Sequence, residues 1–179
     1  MKNSKFPNWL TLILAAICFC PLLALTTPLS EQSRVQLDQT MSVEFPSQPS
    51  EQDANGIKLY VSRSQEAVYM AFFMDHTVQP GQEPIKDKYA FYLGMMDSMI
   101  RNAKATLTDS SSFNLGTHKG IEFSYTTVQQ DGAKVKRSNR LLFINGRVYN
   151  LGHTSLAQPV GTSEAPLRKF LNSMKLTSN

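Results

Sequence analysis

The chain has 179 residues, 41% of them apolar and 18% charged, with a formal net charge of +4. That length and composition fit one globular domain plus an export segment. Lys2 and Lys5 supply two of the four charges and leave about +2, too little to argue for a nucleic-acid binder.

Residues 1–25 read as a signal peptide or an N-terminal membrane anchor. Lys2 and Lys5 form a basic start, and Leu10–Leu25 carries no charge before Thr26-Thr27-Pro28 breaks the run. The run is longer than most signal cores and shorter than the roughly 20 residues that cross a bilayer with ease. Pro21 argues against a buried helix. Cleavage is expected after Ala24 or near Thr26; otherwise residues 10–25 stay as an anchor. Both cysteines, Cys18 and Cys20, lie here behind Ile17 and Phe19, bulky residues that do not suit lipid attachment. A cleaved chain then has no thiol for a disulfide, a nucleophile or a metal. The expected location is periplasmic or otherwise extracytoplasmic, with membrane contact only through this segment.

Residues 26–39 are polar and aperiodic and read as a linker to a single domain over 40–179. Met41-Ser42-Val43-Glu44-Phe45 alternates as a first strand, stopped by Pro46 and Pro49. Asn55-Gly56 is a turn, and Ile57–Val61 alternates again. Glu66–Met74 is apolar on both faces and reads as a central strand covered on two sides. Asp75–Glu83, with Pro80 and Gly81, is a loop. The period then changes. Tyr89, Tyr92, Leu93, Met96, Met99, Ile100 and Ala103 mark an amphipathic helix over Lys86–Lys104. Phe91 and Met95 sit beside that stripe, as part of the core or as an exposed apolar shoulder.

Ala105–Leu115 is a weak, Ser-rich edge strand with a loop. Ile121–Thr126 alternates cleanly, Asp131-Gly132 is a hairpin turn, and Val135–Ile144 and Arg147–His153 flank Asn145-Gly146. That last pair is the strongest hairpin signal in the chain, because a tight I′ turn needs φ > 0 at both central residues. Its register pairs Ile144 with Arg147, Leu142 with Tyr149 and Arg140 with Leu151. Lys119–His153 thus reads as a three-stranded meander. After a loop at Ala157–Thr162, Ser163 suits a helix N-cap and Pro166 a first turn. Leu167, Phe170, Leu171 and Met174 mark the second helix, with Lys175 near its negative end. Strands, helix, strands, helix give an α+β domain: an antiparallel sheet flanked by two main helices, an αβα sandwich.

Chemistry is sparse. The chain has no phosphate-binding glycine loop, no His-Glu-x-x-His and no Gly-x-Ser-x-Gly. Asp75-His76, His118 and His153 are scattered, without ligand spacing for a metal. No catalytic, metal or cofactor residue is expected. Lys134, Lys136, Arg137, Arg140 and Arg147 form the one charge cluster, and the hairpin register puts Lys136, Arg140 and Arg147 on one face. They either form a basic patch for an acidic partner or an anionic lipid surface, or stay solvated.

Four stretches carry a resemblance: Val43-Glu44-Phe45-Pro46-x-x-Pro49, Gly116-x3-Gly120-Ile121-Glu122-Phe123, Arg140-Leu141-Leu142-x3-Gly146-Arg147-Val148-Tyr149, and Leu167-x-x-Phe170-Leu171-x-Ser173-Met174-x-Leu176. Over residues 40–176 the chain resembles the PsbP-like/Mog-like superfamily, and within it small exported bacterial proteins related to DcrB. The resemblance implies an antiparallel sheet with helices on both sides and a non-catalytic binding or assembly role. PsbP is an accessory subunit of photosystem II, and Mog-like members bind a small GTPase; no functional residue carries over by position. The expected function is a non-enzymatic extracytoplasmic module engaging an envelope protein, through Lys136, Arg140 and Arg147 or through Phe91 and Met95. Alternatives are a carrier of a small apolar ligand or lipid, and an enzyme assembled from Asp75, His76 or His153.

Overall fold

The computed structural model describes residues 33–54, 57–76, 85–156 and 164–177. The N-terminal apolar segment, the Asn55-Gly56 turn, most of the two longer loops and Ser163 lie outside them. The elements are β1 (Ser33–Gln36), β2 (Met41–Phe45), β3 (Ser50–Ala54), β4 (Ile57–Arg63), β5 (Ala67–Asp75), α1 (Lys88–Asn102), β6 (Thr106–Leu115), β7 (His118–Val128), β8 (Lys134–Ile144), β9 (Arg147–Ser155), α2 (Ala165–Leu171) and β10 (Lys175–Leu176). No helix among the described residues is long and apolar enough to cross a membrane.

A seven-stranded antiparallel sheet runs β3-β4-β5-β9-β8-β7-β6, beside a three-stranded sheet in the order β1-β2-β10. Two hairpins set the larger sheet's right half. At the β8–β9 turn Asn145 and Gly146 take φ of 49° and 79°, the left-handed pair that a I′ turn requires. Ile144 pairs with Arg147, Leu142 with Tyr149 and Arg140 with Leu151, the register expected from the pattern. At the β7–β8 turn the Asp131 carboxylate accepts the Ala133 amide at 2.9 Å. β9 then pairs along β5 from Ala67↔Ser155 to Asp75↔Arg147, joining the meander to the first half of the chain.

Successive strand residues point to opposite faces, so the register sorts the core into two parts. On one face Tyr69, Ala71, Leu142, Ile144, Tyr149 and Leu151 pack on Met41, Val43 and Phe45 of β2 and on Leu167, Phe170 and Leu171 of α2. The Phe170 ring lies 5.4 Å from Phe45 and 5.2 Å from Tyr69. On the other face Ile121, Phe123, Tyr125 and Leu141 pack against Tyr92 and Met96 of α1. A helix therefore lies on each side, but α2 shares its side with a small sheet. The αβα sandwich is corrected to that extent.

Local corrections follow the same logic. Residues 26–39 are not all linker, because Ser33–Gln36 is a strand on β2 and Leu37 is buried. β3, missed in the pattern, pairs with β4 from Ser50↔Val61 to Ala54↔Ile57. The meander has four strands, since β6 pairs with β7 along its length. Helix α2 starts with Glu164 at its cap position, and that side chain makes no capping bond. It ends at Leu171; Met174 is buried beyond it, and Lys175 belongs to β10 rather than to a helix end.

Candidate functional site

The five residues expected to meet a partner were Lys136, Arg140, Arg147, Phe91 and Met95. The three cations do share a face, as the register requires. That face is the one covered by α2 and the small sheet, and each cation has an internal carboxylate.

Arg140 is the clearest correction. It is 8% exposed, and its partner Glu122 is 7% exposed. The Arg140 Nε donates to Glu122 Oε2 at 3.0 Å, Nη1 to the Leu171 carbonyl at 2.6 Å, and Nη2 to Asn172 Oδ1 at 3.0 Å. Arg168 of α2 holds the other Glu122 oxygen. The guanidinium also lies 4.3 Å from the centre of the Phe113 ring. Phe113 stands over Gly120, where an added Cβ would meet that ring at 2.6 Å and the Leu141 carbonyl at 2.5 Å. A planar fork matched to a carboxylate and to the last carbonyls of a helix suits arginine. Here it fastens α2 to β7 and β8.

Arg147 makes a second fastening. Its Nη1 donates to Asp38 Oδ2 at 2.6 Å and its Nε to Asp75 Oδ1 at 2.7 Å. The Tyr149 hydroxyl donates to the same Asp38 oxygen at 2.6 Å, while Asp38 Oδ1 accepts the Thr40 and Met41 amides at 2.8 and 2.9 Å. Burial works against the Asp38 charge, yet the Tyr149 hydroxyl, the two amides and Arg147 outweigh it and hold the carboxyl below its usual range. Burial first, then Asp38, pushes the Tyr149 phenol up to about 12. Asp38 had been assigned to the linker. The Asp38-x-Thr40 spacing of a side-chain-capped turn was the signal that could have found it. Lys136 is half-buried and paired with Glu164 at 3.2 Å.

Phe91 and Met95 do not form an exposed shoulder. Both are partly buried against the α1 side of the core. The Phe91 ring sits 5.7 Å from Phe143 and 5.4 Å from His76.

The histidines separate too. His76 packs edge-on against Phe91 and Phe143, and its amide donates to the Gly146 carbonyl at 2.7 Å. His153 pairs across the ladder with Tyr69, six residues along β5 from Asp75. That is about 20 Å of extended strand, so Asp75 and His153 cannot act together. Burial, and then the Lys136 charge, pushes the His153 imidazole down to about 4. It borders a small hollow of about 60 Å³ with Glu66, Tyr69, Ser155 and Glu164. Among the described residues no three His, Cys, Asp or Glu gather as metal ligands.

No family model matches the chain, and no curated protein matches it. Solved structures do. The solution structure of cyanobacterial PsbP (CyanoP) from Synechocystis sp. PCC 6803 is similar at a TM-score of 0.61 and 10% identity, over 82% of this chain and 93% of that one. A crystal structure from Bacteroides thetaiotaomicron VPI-5482 matches at a TM-score of 0.44 and 13% identity, over 78% of this chain and 46% of that one. A protein of unknown function, PA94 from Pseudomonas aeruginosa, matches at 0.40 and 14%, over 72% and 84%. At such identity the first likeness is one of architecture: the chain has a PsbP-like α+β fold.

Proposed function

We propose that the protein is a non-enzymatic module of the cell envelope that binds or helps assemble a protein partner, exported by its N-terminal segment and related to the DcrB-like branch of the PsbP-like proteins. The observation that carries this reading is the PsbP-like fold, shared over 82% of the chain. It agrees with the sequence resemblance to a superfamily of binding modules. The distribution of polar groups also supports it. Arg140, Glu122, Asp38 and Arg147 hold the small sheet and α2 in place, and of the residues Asp75, His76 and His153 on which the enzyme alternative rests, His153 lies far along the strand from Asp75.

Chemical cross-linking of the tagged full chain in the envelope of its own host tests this. The expected result is one reproducible adduct larger than the chain, with a second polypeptide in it. Adducts of the chain only with itself would sink the reading. A lipid retained through native mass spectrometry would replace it with the carrier alternative.

A further inference from the structure

Lys136, Arg140 and Arg147 each have a carboxylate partner, whereas Lys88 and Lys119, from elements far apart in sequence, have none among the described residues. Lys88 opens α1, and Lys119 lies in β7 just after the β6–β7 turn. Both line a hollow of about 230 Å³ with Tyr89, Tyr92, Thr117 and His118. No carboxylate is among its described lining residues. Asp87, the nearest acid in sequence, is turned to its own helix and accepts the Tyr89 and Ala90 amides at 2.9 and 3.0 Å.

Among the described residues neither ammonium has a carboxylate partner. Each lies against a ring instead, Lys88 Nζ 5.6 Å from the centre of Phe143 and Lys119 Nζ 6.0 Å from that of Tyr89. Tyr89 is 52% exposed, a large apolar surface beside that ammonium. The back wall is fixed. The Tyr92 hydroxyl donates to the Lys119 carbonyl at 3.0 Å and accepts the Phe143 amide at 2.8 Å. Two charges of one sign beside an exposed aromatic side chain attract a ligand with opposite charge and an apolar body.

We propose that this hollow binds a small organic acid, its carboxylate between Lys88 and Lys119 and its apolar body against Tyr89. Lysine ammonium groups act as point charges and do not read the shape of the acid group. Selectivity for an organic acid over a bare anion therefore rests on the Tyr89 wall. The site stands independently of the protein-partner reading, since it is assayed on the isolated chain.

The test is a titration of the 15N-labelled full chain in detergent with phenylacetate, following the amide signals of Tyr89, Thr117 and Lys119. Saturable shifts are expected, weakened about tenfold or more in Lys119→Glu and in Lys88→Glu and unchanged in Lys169→Glu on α2. Tyr89→Ala should weaken phenylacetate while leaving inorganic phosphate as weak as before. Lys119→Gln serves if charge reversal lowers the melting temperature, because the Tyr92 bond uses the Lys119 backbone. Shifts that do not saturate, or affinity unchanged in the Lys119 variants, overturn the site. Phosphate binding as tightly as phenylacetate overturns the ligand class.

Discussion

The two faces of the large sheet are held by different means. On the α1 face, Tyr92 and Met96 pack on Ile121, Phe123, Tyr125 and Leu141, and the Tyr92 hydroxyl is a single polar anchor between α1 and the sheet. On the α2 face an apolar centre of Phe45, Tyr69, Phe170 and Leu171 is bordered by two ionic fastenings, Arg140 with Glu122 and Arg147 with Asp38. The difference follows from the size of what must be held. Helix α1 has 15 residues and can dock on area. Helix α2 has seven and β10 has two, too short to dock on area alone. Charge on a strand face is thus not a sign of an open binding surface. Where short elements must dock, it is a sign of what docks there.

Breaking the buried pair should show the contrast most strongly. Glu122→Gln leaves the Arg140 guanidinium buried without its counter-charge, and urea unfolding should record a loss of about 3–5 kcal/mol. Replacing both, Glu122→Leu with Arg140→Met, should recover most of that loss, since two apolar side chains leave no stranded charge. A double variant as weak as the single would show that the Leu171 and Asn172 bonds, rather than the ion pair, hold α2. On the other face Tyr92→Phe removes one acceptor and one donor from part-buried bonds and should cost about 1–2 kcal/mol, with α1 still packed. Equal losses for Tyr92→Phe and Glu122→Gln would erase the distinction between the faces.

Acid should act through the α2 face. The His153 imidazole is held down to about 4 in the fold and returns to about 6.5 when the chain unfolds. The unfolded chain therefore takes up the proton first. Stability from this residue is complete above about pH 6.5 and falls as the pH drops toward 4. Partial solvent access reduces the effect to about 1–2 kcal/mol. Melting temperatures of His153→Gln should lose that slope between pH 6.5 and 4 and keep the rest. The smallest effect is expected for Lys136→Met. Its pair with Glu164 is exposed on both sides and should be worth under about 0.5 kcal/mol at neutral pH. The same variant removes a positive charge that depresses His153, so an NMR titration should show that imidazole protonating at higher pH.

Much of this architecture is legible in the sequence where a pattern is long enough to repeat. β2, β4, β7 and α1 declare themselves by period and β5 by an apolar run, while Asn145-Gly146 marks β8 and β9 and fixes their register residue by residue. What does not repeat cannot be read that way. β1 has four residues and β10 two, and both owe their form to β2. The Ser-rich edge β6 lacks apolar alternation because it is exposed along most of its length. The candidate site failed for a related reason. Register shows that Lys136, Arg140 and Arg147 share a face, but the arrival of α2 over that face depends on contacts from residues some thirty positions away. The Lys88–Lys119 hollow was missed because its cations come from different elements, with no sequence cluster to mark them.

β2 is the middle strand of the small sheet, with Gln36 and Lys175 both opposite Ser42. Its pairing with β10 joins positions more than 130 residues apart, among the longest loops this chain can close. A chain emerging gradually, from a ribosome or a translocation channel, can form the β8–β9 hairpin long before it can complete this sheet. Until Lys175 and Leu176 arrive, one side of β2 lacks its ladder partner. A chain stalled just short of β10 leaves a strand edge open to other chains.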